Sequence, residues 1–188
     1  MVNYLALLGG ACWGEYPTHG CVEDADCVLA FSMGYGVVDG EYVPGAGNGE
    51  LALYIHVNFA ARALPVLAQK EIAVALEALG YPGEIIPFCQ LGEKTTTHDV
   101  AEQMVSKMAD PHPKYDGPLY EDPVLVASAY YAARADLVVR WFRVEPIVPE
   151  GLPKALDSAS AQRRTRNPTN WTFWELGAWP HHYFRGWI

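Results

Sequence analysis

Residues Asp26-Cys27-Val28-Leu29-Ala30-Phe31 run almost without a polar break and give way at once to Ser32-Met33-Gly34-Tyr35-Gly36. A short apolar run with no alternation is what a strand covered on both faces requires, which confines the chain to sheets packed by helices on each side. In an open parallel sheet the loops at the carboxyl ends of the strands are where ligands bind. Gly34 and Gly36 permit positive φ and close backbone approach. Ser32, Gly34 and Gly36 are therefore the first ligand-binding candidates, with an ordinary turn as the competing reading.

The same grammar recurs along the chain. Strands are expected at Pro65 to Ala68, Glu84 to Phe88, Pro123 to Ser128 and Val144 to Val148. Between them lie helical segments: Glu50 to Leu64, Gln69 to Leu79 with Ile72, Ala75, Leu76 and Leu79 on one face, a helix carrying Val100, Ala101, Met104, Val105 and Met108, and Tyr130 to Phe142. Asn48 or Gly49 is the expected N-cap of the first, Gly80 ends the second, and Thr96 with Asp99 three residues on approximates a capping box for the third. Strand and helix in strict alternation give a parallel sheet with helices on both faces. Asp39-Gly40 between apolar residues marks a hairpin over Val37 to Pro44, and Tyr4 to Leu8 is a further outer strand. At 188 residues the chain is expected to form one domain, residues 1–188, with an aromatic C-terminal tail over 149–188.

Charge narrows the partners. The formal net charge is -9, and no Lys or Arg precedes Arg62, so a basic nucleic-acid footprint is not expected. With 51% hydrophobic residues the chain can build a core, yet no run reaches the roughly 18 to 20 apolar residues of a membrane span. The apolar segment Tyr4 to Ala11 lacks the basic flank of a secretory signal, which makes the cytoplasm the expected location. The histidines and cysteines show no zinc-ligand spacing, so no zinc site is expected.

Aligning the expected strand ends brings Ser32 to Gly36 together with Gln69 and Glu71, with Glu93, Thr96, Thr97 and Asp99, and with Ser128, Tyr131 and Arg134. Asn48 joins them from the start of the first helix. Glu71 and Asp99 are candidates for acid/base or metal-binding roles, although a carboxylate in a first helical turn also complements the helix dipole without any function. Arg134, one turn into its helix, can clamp an anionic ligand bidentately or pair with a carboxylate of the protein; Arg163, Arg164 and Arg166 can serve likewise. The first turn carries no G-x-G-x-x-G, no G-K-[ST] and no G-x-S-x-G, the specific fingerprints of dinucleotide, P-loop and serine-hydrolase sites.

In order and spacing these segments resemble the YdcF-like family. The resemblance rests on Asp26 to Phe31 with its glycine turn, Pro65 to Ala68 followed by Glu71-Ile72-Ala73, Glu93 with Thr97 and Asp99, and Val124 to Ser128 followed by Arg134-Ala135. It implies a Rossmann-like three-layer α/β sandwich with a mainly parallel five-stranded sheet, and S-adenosylmethionine or a nucleotide as the bound molecule. Three positions depart from the family: Tyr131 stands where a His is usual, Gln69-Lys70 replaces Gly-Gly, and Thr96 and Val100 replace Asn. The expected function is an enzyme acting on a small nucleotide-like or amino-acid-like ligand, with Glu71, Asp99 and Arg134 in the chemistry. The alternative is a binding or regulatory module without catalysis.

From Pro149 onward the pattern changes, and Asn170 to Ile188 holds Trp171, Trp174, Trp179 and Trp187. A tail this aromatic should be buried, either as a lid over the strand-end crevice or against the sheet, with a homodimer contact as a further option. The expected arrangement packs it on the body with the preceding arginines near the crevice.

Overall fold

The computed structural model of the protein describes residues 14–91, 95–113 and 116–185, with every side chain in them except Trp179 and those of 181–184. The strand expected at Tyr4 to Leu8, Trp187 and the site candidate Glu93 lie outside the described residues.

The apolar run forms β1 (Cys27–Ala30), buried at every position. The elements that follow are β2 (Tyr35–Val38), β3 (Glu41–Pro44), α1 (Ala46–Phe59), β4 (Val66–Gln69), α2 (Lys70–Leu79), β5 (Ile85–Phe88), α3 (Thr97–Met108), β6 (Pro123–Val126), α4 (Ala132–Trp141) and α5 (Pro168–Phe184). The main sheet has the order β5-β4-β1-β6, and every pairing in it is parallel. Because the register is in phase across the centre, Leu67, Leu29 and Leu125 lie in one row, and Ala68, Ala30 and Val126 form the row at the carboxyl edge. Chain progression runs outward from β1 through β4 to β5, then returns to the other side of β1 at β6. Right-handed crossovers therefore put α1 and α2 on one face and α3 and α4 on the other, in keeping with the packing of α1 on α2 and of α3 on α4.

Local chemistry accounts for most element ends. Asp39 and Gly40, both at positive φ, close the β2–β3 hairpin in a two-residue turn of the kind that follows strand twist. Gly80 ends α2 in the left-handed region at φ 67, and the Thr96–Asp99 capping box starts α3 with both reciprocal bonds made. The helical faces differ slightly from expectation: in α2 the buried apolar residues are Ile72, Ala73 and Leu76, while Leu79 is exposed. The helix packs against α1 as well as against the sheet, and Ala73 instead of Leu79 falls on the covered face.

Two expectations are corrected. Among the described residues the sheet has four parallel strands instead of five: of Val144 to Val148, only Ile147 bridges Val124 in parallel, while Val148 pairs antiparallel with His19. Pro146 and Pro149 flank those two residues and supply no N–H, so the ladder cannot extend. Ile147 still satisfies the outer edge of β6, accepting from Leu125 N at 2.8 Å and donating to Pro123 O at 2.8 Å. Neither Asn48 nor Gly49 caps α1; the helix begins at Ala46 with Gly45 as N-cap and no capping side chain of its own. No helix among the described residues is long and apolar enough to cross a membrane.

Leu29 is fully buried at the middle of the central strand. Leu29→Ala should lower the unfolding free energy by about 2–5 kcal/mol, since its neighbours are strands and helices that cannot all close on the void. Urea denaturation measures this, and a loss no larger than that of a surface substitution would contradict the central placement of β1.

Candidate functional site

The strand order reverses at β1, and the loops after β1 and β6 diverge there. That divergence opens a crevice at the carboxyl edge. A cavity of about 980 Å³ occupies it, lined from the strand ends by Ser32, Met33, Gly34, Tyr35, Gln69, Glu71, Thr95, Thr96, Thr97, Val100, Tyr131 and Arg134. The remaining wall comes from the C-terminal region: Gln162, Arg163, Arg164, Thr165, Trp171, Phe173, Trp174, Gly177 and Ala178.

The loop after β1 is fixed by side chains of other elements. Ser32 N donates to Gln69 Oε1 at 2.8 Å. Asn48, fully buried, accepts from Met33 N at 2.7 Å and donates to Gly34 O at 2.7 Å. Asn48 is thus a clamp on the loop from behind and does not line the cavity. Gly34 sits at φ +75, and a Cβ there would lie 2.5 Å from Thr165 Oγ1. The glycine makes room for protein, the turn Arg163–Thr165.

That turn belongs to an arm laced back over the hairpin. Asp157 Oδ2 accepts from Ala46 N at 3.1 Å, capping α1 from 111 residues away in sequence. Ala161 N donates to Tyr35 O at 2.9 Å, Thr165 Oγ1 donates to Ser160 Oγ at 2.8 Å, and Arg166 Nε donates to Ser160 O at 2.7 Å. Arg166 is spent on holding the turn, and it is Arg163 and Arg164 that reach the cavity.

Helix α5 then crosses the crevice. Its Trp171, almost fully buried, donates from Nε1 to Tyr130 O at 2.9 Å and meets the Tyr131 ring edge-on at 5.6 Å. Arg134 Nη2 pairs with Glu175 Oε1 at 3.1 Å, both side chains at least nine-tenths buried. The Arg134 guanidinium lies 4.8 Å from the Tyr131 ring centroid and 5.5 Å from that of Trp171. Arg164 lies 4.5 Å over Trp174. Burial, and then the nearby Arg134 charge, hold Arg164 below the ordinary guanidinium value. Tyr131 donates its hydroxyl to Thr97 Oγ1 at 2.7 Å; burial pushes this phenol up, so it stays protonated and a donor.

The sequence candidates divide accordingly. Ser32, Gly34, Gln69, Glu71, Thr96, Thr97, Tyr131 and Arg134 line one cavity. Asp99 does not: its Oδ2 accepts from Thr96 N at 3.0 Å in the capping box. Gly36 lies in β2 opposite Val43, and Ser128 is fully buried beneath the loop, its carbonyl accepting from Tyr131 N and Ala132 N. Trp171 and Trp174 stood in the expected aromatic tail, but Phe173, Glu175 and Ala178 of α5 were missed, although a signal existed. Trp171, Trp174, Glu175 and Ala178 fall at i, i+3, i+4 and i+7. Asn167-Pro168 before them is a helix-start pair, and Asn167 Oδ1 accepts from Asn170 N at 2.8 Å. Asp157 carries no comparable signal, because its partner is remote in sequence.

Chemically, the cavity offers among the described residues three guanidiniums, one carboxylate (Glu71), amide and hydroxyl groups, and indole faces. Among the described residues no group of three or more His, Cys, Asp or Glu is arranged to hold a metal ion. Comparison with protein-family models, curated proteins and solved structures yields no significant match.

The buried Arg134–Glu175 pair ties α4 to α5. Glu175→Gln should destabilise by about 3–5 kcal/mol, because it strands the Arg134 charge away from water. Arg134→Met with Glu175→Leu should recover most of that loss. A single-variant effect below about 1 kcal/mol in urea titration would mean that the pair is solvated.

Proposed function

We propose that the protein binds a small nucleotide-like or amino-acid-like molecule in the crevice at the carboxyl edge and acts on it. The observation that carries this reading is convergence: side chains from the ends of β1, β4 and β6, from the start of α3 and from the C-terminal arm line one cavity of about 980 Å³ at the point where the strand order reverses. That volume lies near the upper end of the roughly 300–1,000 Å³ that small-molecule sites occupy. The indole faces suit a planar ring, and the guanidiniums suit an anionic group.

Glu71 is the group for proton transfer. It is a nearly buried carboxylate in the first turn of α2, lining the same cavity as Gln69 and Ser32. The resemblance to the YdcF-like family, with its Rossmann-like sheet, supports a nucleotide or S-adenosylmethionine as the bound molecule. A second reading, binding without chemistry, is favoured by two particulars. Asp99 is committed to its capping box, and Tyr131, in the position of the family's His, gives its hydroxyl to Thr97.

Prolonged incubation of the protein with S-adenosylmethionine, AMP, ATP and free amino acids, followed by mass spectrometry, separates the readings. Conversion should occur with the native protein and be lost in Glu71→Gln while the thermal midpoint stays within a few degrees. Parallel loss of folding and turnover would remove Glu71 from the chemistry, and binding without conversion would leave the second reading.

A further inference from the structure

We infer that the ligand of this crevice carries a phosphomonoester, seated between Arg134 and Arg164; the inference rests on the crevice being the ligand site. The first support is the distribution of charge. On the β6 side and the C-terminal arm, Arg134, Arg163 and Arg164 face the cavity, and Glu175 partners Arg134, a surplus of two positive charges among the described residues. The opposing carboxylate, Glu71, comes from the first turn of α2 after β4, across β1 from the arginines. In a chain of net charge -9, such a concentration repels no anion that reaches it and draws one in.

The second support is unmet hydrogen-bonding capacity. The Arg134 side chain is 9% exposed, and among the described residues its Nε is buried with no acceptor. Leaving a charged donor unmatched in the interior is expensive, so an acceptor supplied by the ligand relieves a standing penalty. The Arg164 guanidinium lies 4.5 Å over the Trp174 ring, and an aromatic face stabilises a cation without accepting its N–H donors in the way a carboxylate does, so they stay available for bidentate contact. Its depressed basicity, caused by burial and by Arg134, agrees with two like charges held close together without enough negative charge between them.

A carboxylate has two oxygens and one charge and can engage one fork. A phosphomonoester has three terminal oxygens and close to two charges, and it can accept from both forks at once. On the far side Glu71 is an acceptor and the Gln69 amide N–H2 a donor, its Oε1 being engaged by Ser32 N, which suits hydroxyl groups, and the indoles suit a ring between the two ends. The chemistry is that of a nucleoside monophosphate or a similar ring-bearing phosphate ester.

Isothermal titration calorimetry on the full chain at low ionic strength tests this with AMP, phenyl phosphate, adenosine, inorganic phosphate and S-adenosylmethionine. AMP should bind about tenfold or more tighter than adenosine, with affinity falling as salt rises, and Arg164→Gln should collapse that ratio without shifting the thermal midpoint. Inorganic phosphate should bind more weakly than AMP. Adenosine or S-adenosylmethionine binding as tightly as AMP, or an unchanged ratio in Arg164→Gln, overturns the phosphate assignment and leaves the crevice as a ligand site. Failure of all five probes overturns both.

Discussion

A strand of four residues, buried at every position and paired on both sides, is the constraint on which the molecule depends. β1 can satisfy its backbone only by accepting β4 and β6 as parallel neighbours, and parallel neighbours demand crossovers that cover the sheet. Two crossovers run outward from β1 and one runs back across it, so the loops after β1 and β6 part company. The crevice follows from topology before any side chain is considered. What the sequence adds is a small last row, Ala68, Ala30 and Val126, at the edge where the cavity-lining loops begin.

Much of this was legible because it is local. Apolar runs, the capping box at Thr96, Gly80 and Asp39-Gly40 each act within a few residues, and each element they define stands close to its expected place. The fifth strand failed for an equally local reason: Pro146 and Pro149 leave only Ile147 and Val148 able to pair, and the apolar pattern outvoted two missing donors. Asn48 and Asp157 were illegible in another way. Their side chains act on Met33, Gly34 and Ala46, and which face of a buried amide or carboxylate meets which loop is decided by tertiary packing.

Asp99 and Glu71 show the limits of reading carboxylates from position. Both stand in the first turn of a helix at the carboxyl edge, where the dipole favours either one without function. Asp99 closes its own helix start, while Glu71 is nearly buried and lines the cavity. The distinguishing fact is the residue before the helix: Thr96 has a hydroxyl with which to reciprocate. Gln69, by contrast, turns its amide toward Ser32 N and leaves α2 without a side-chain cap.

The C-terminal arm completes the site by solving a problem that the sheet alone would leave. Two guanidiniums held close together in a partly dry crevice repel each other, and a flexible loop would let them separate into water. Here the arm is pinned by Asp157, Ser160 and Thr165, and α5 is pinned by Trp171 and Glu175. The Arg134 side chain and the arm that carries Arg164 are thus both tied to the body of the protein. The rings of Tyr131, Trp171 and Trp174 supply part of the compensation that carboxylates would otherwise give, through their electron-rich faces. An aromatic face stabilises a cation without occupying its in-plane donors, whereas a second carboxylate would consume them. A tail rich in tryptophan is therefore what allows this acidic chain to hold positive charge in place with hydrogen-bonding capacity to spare.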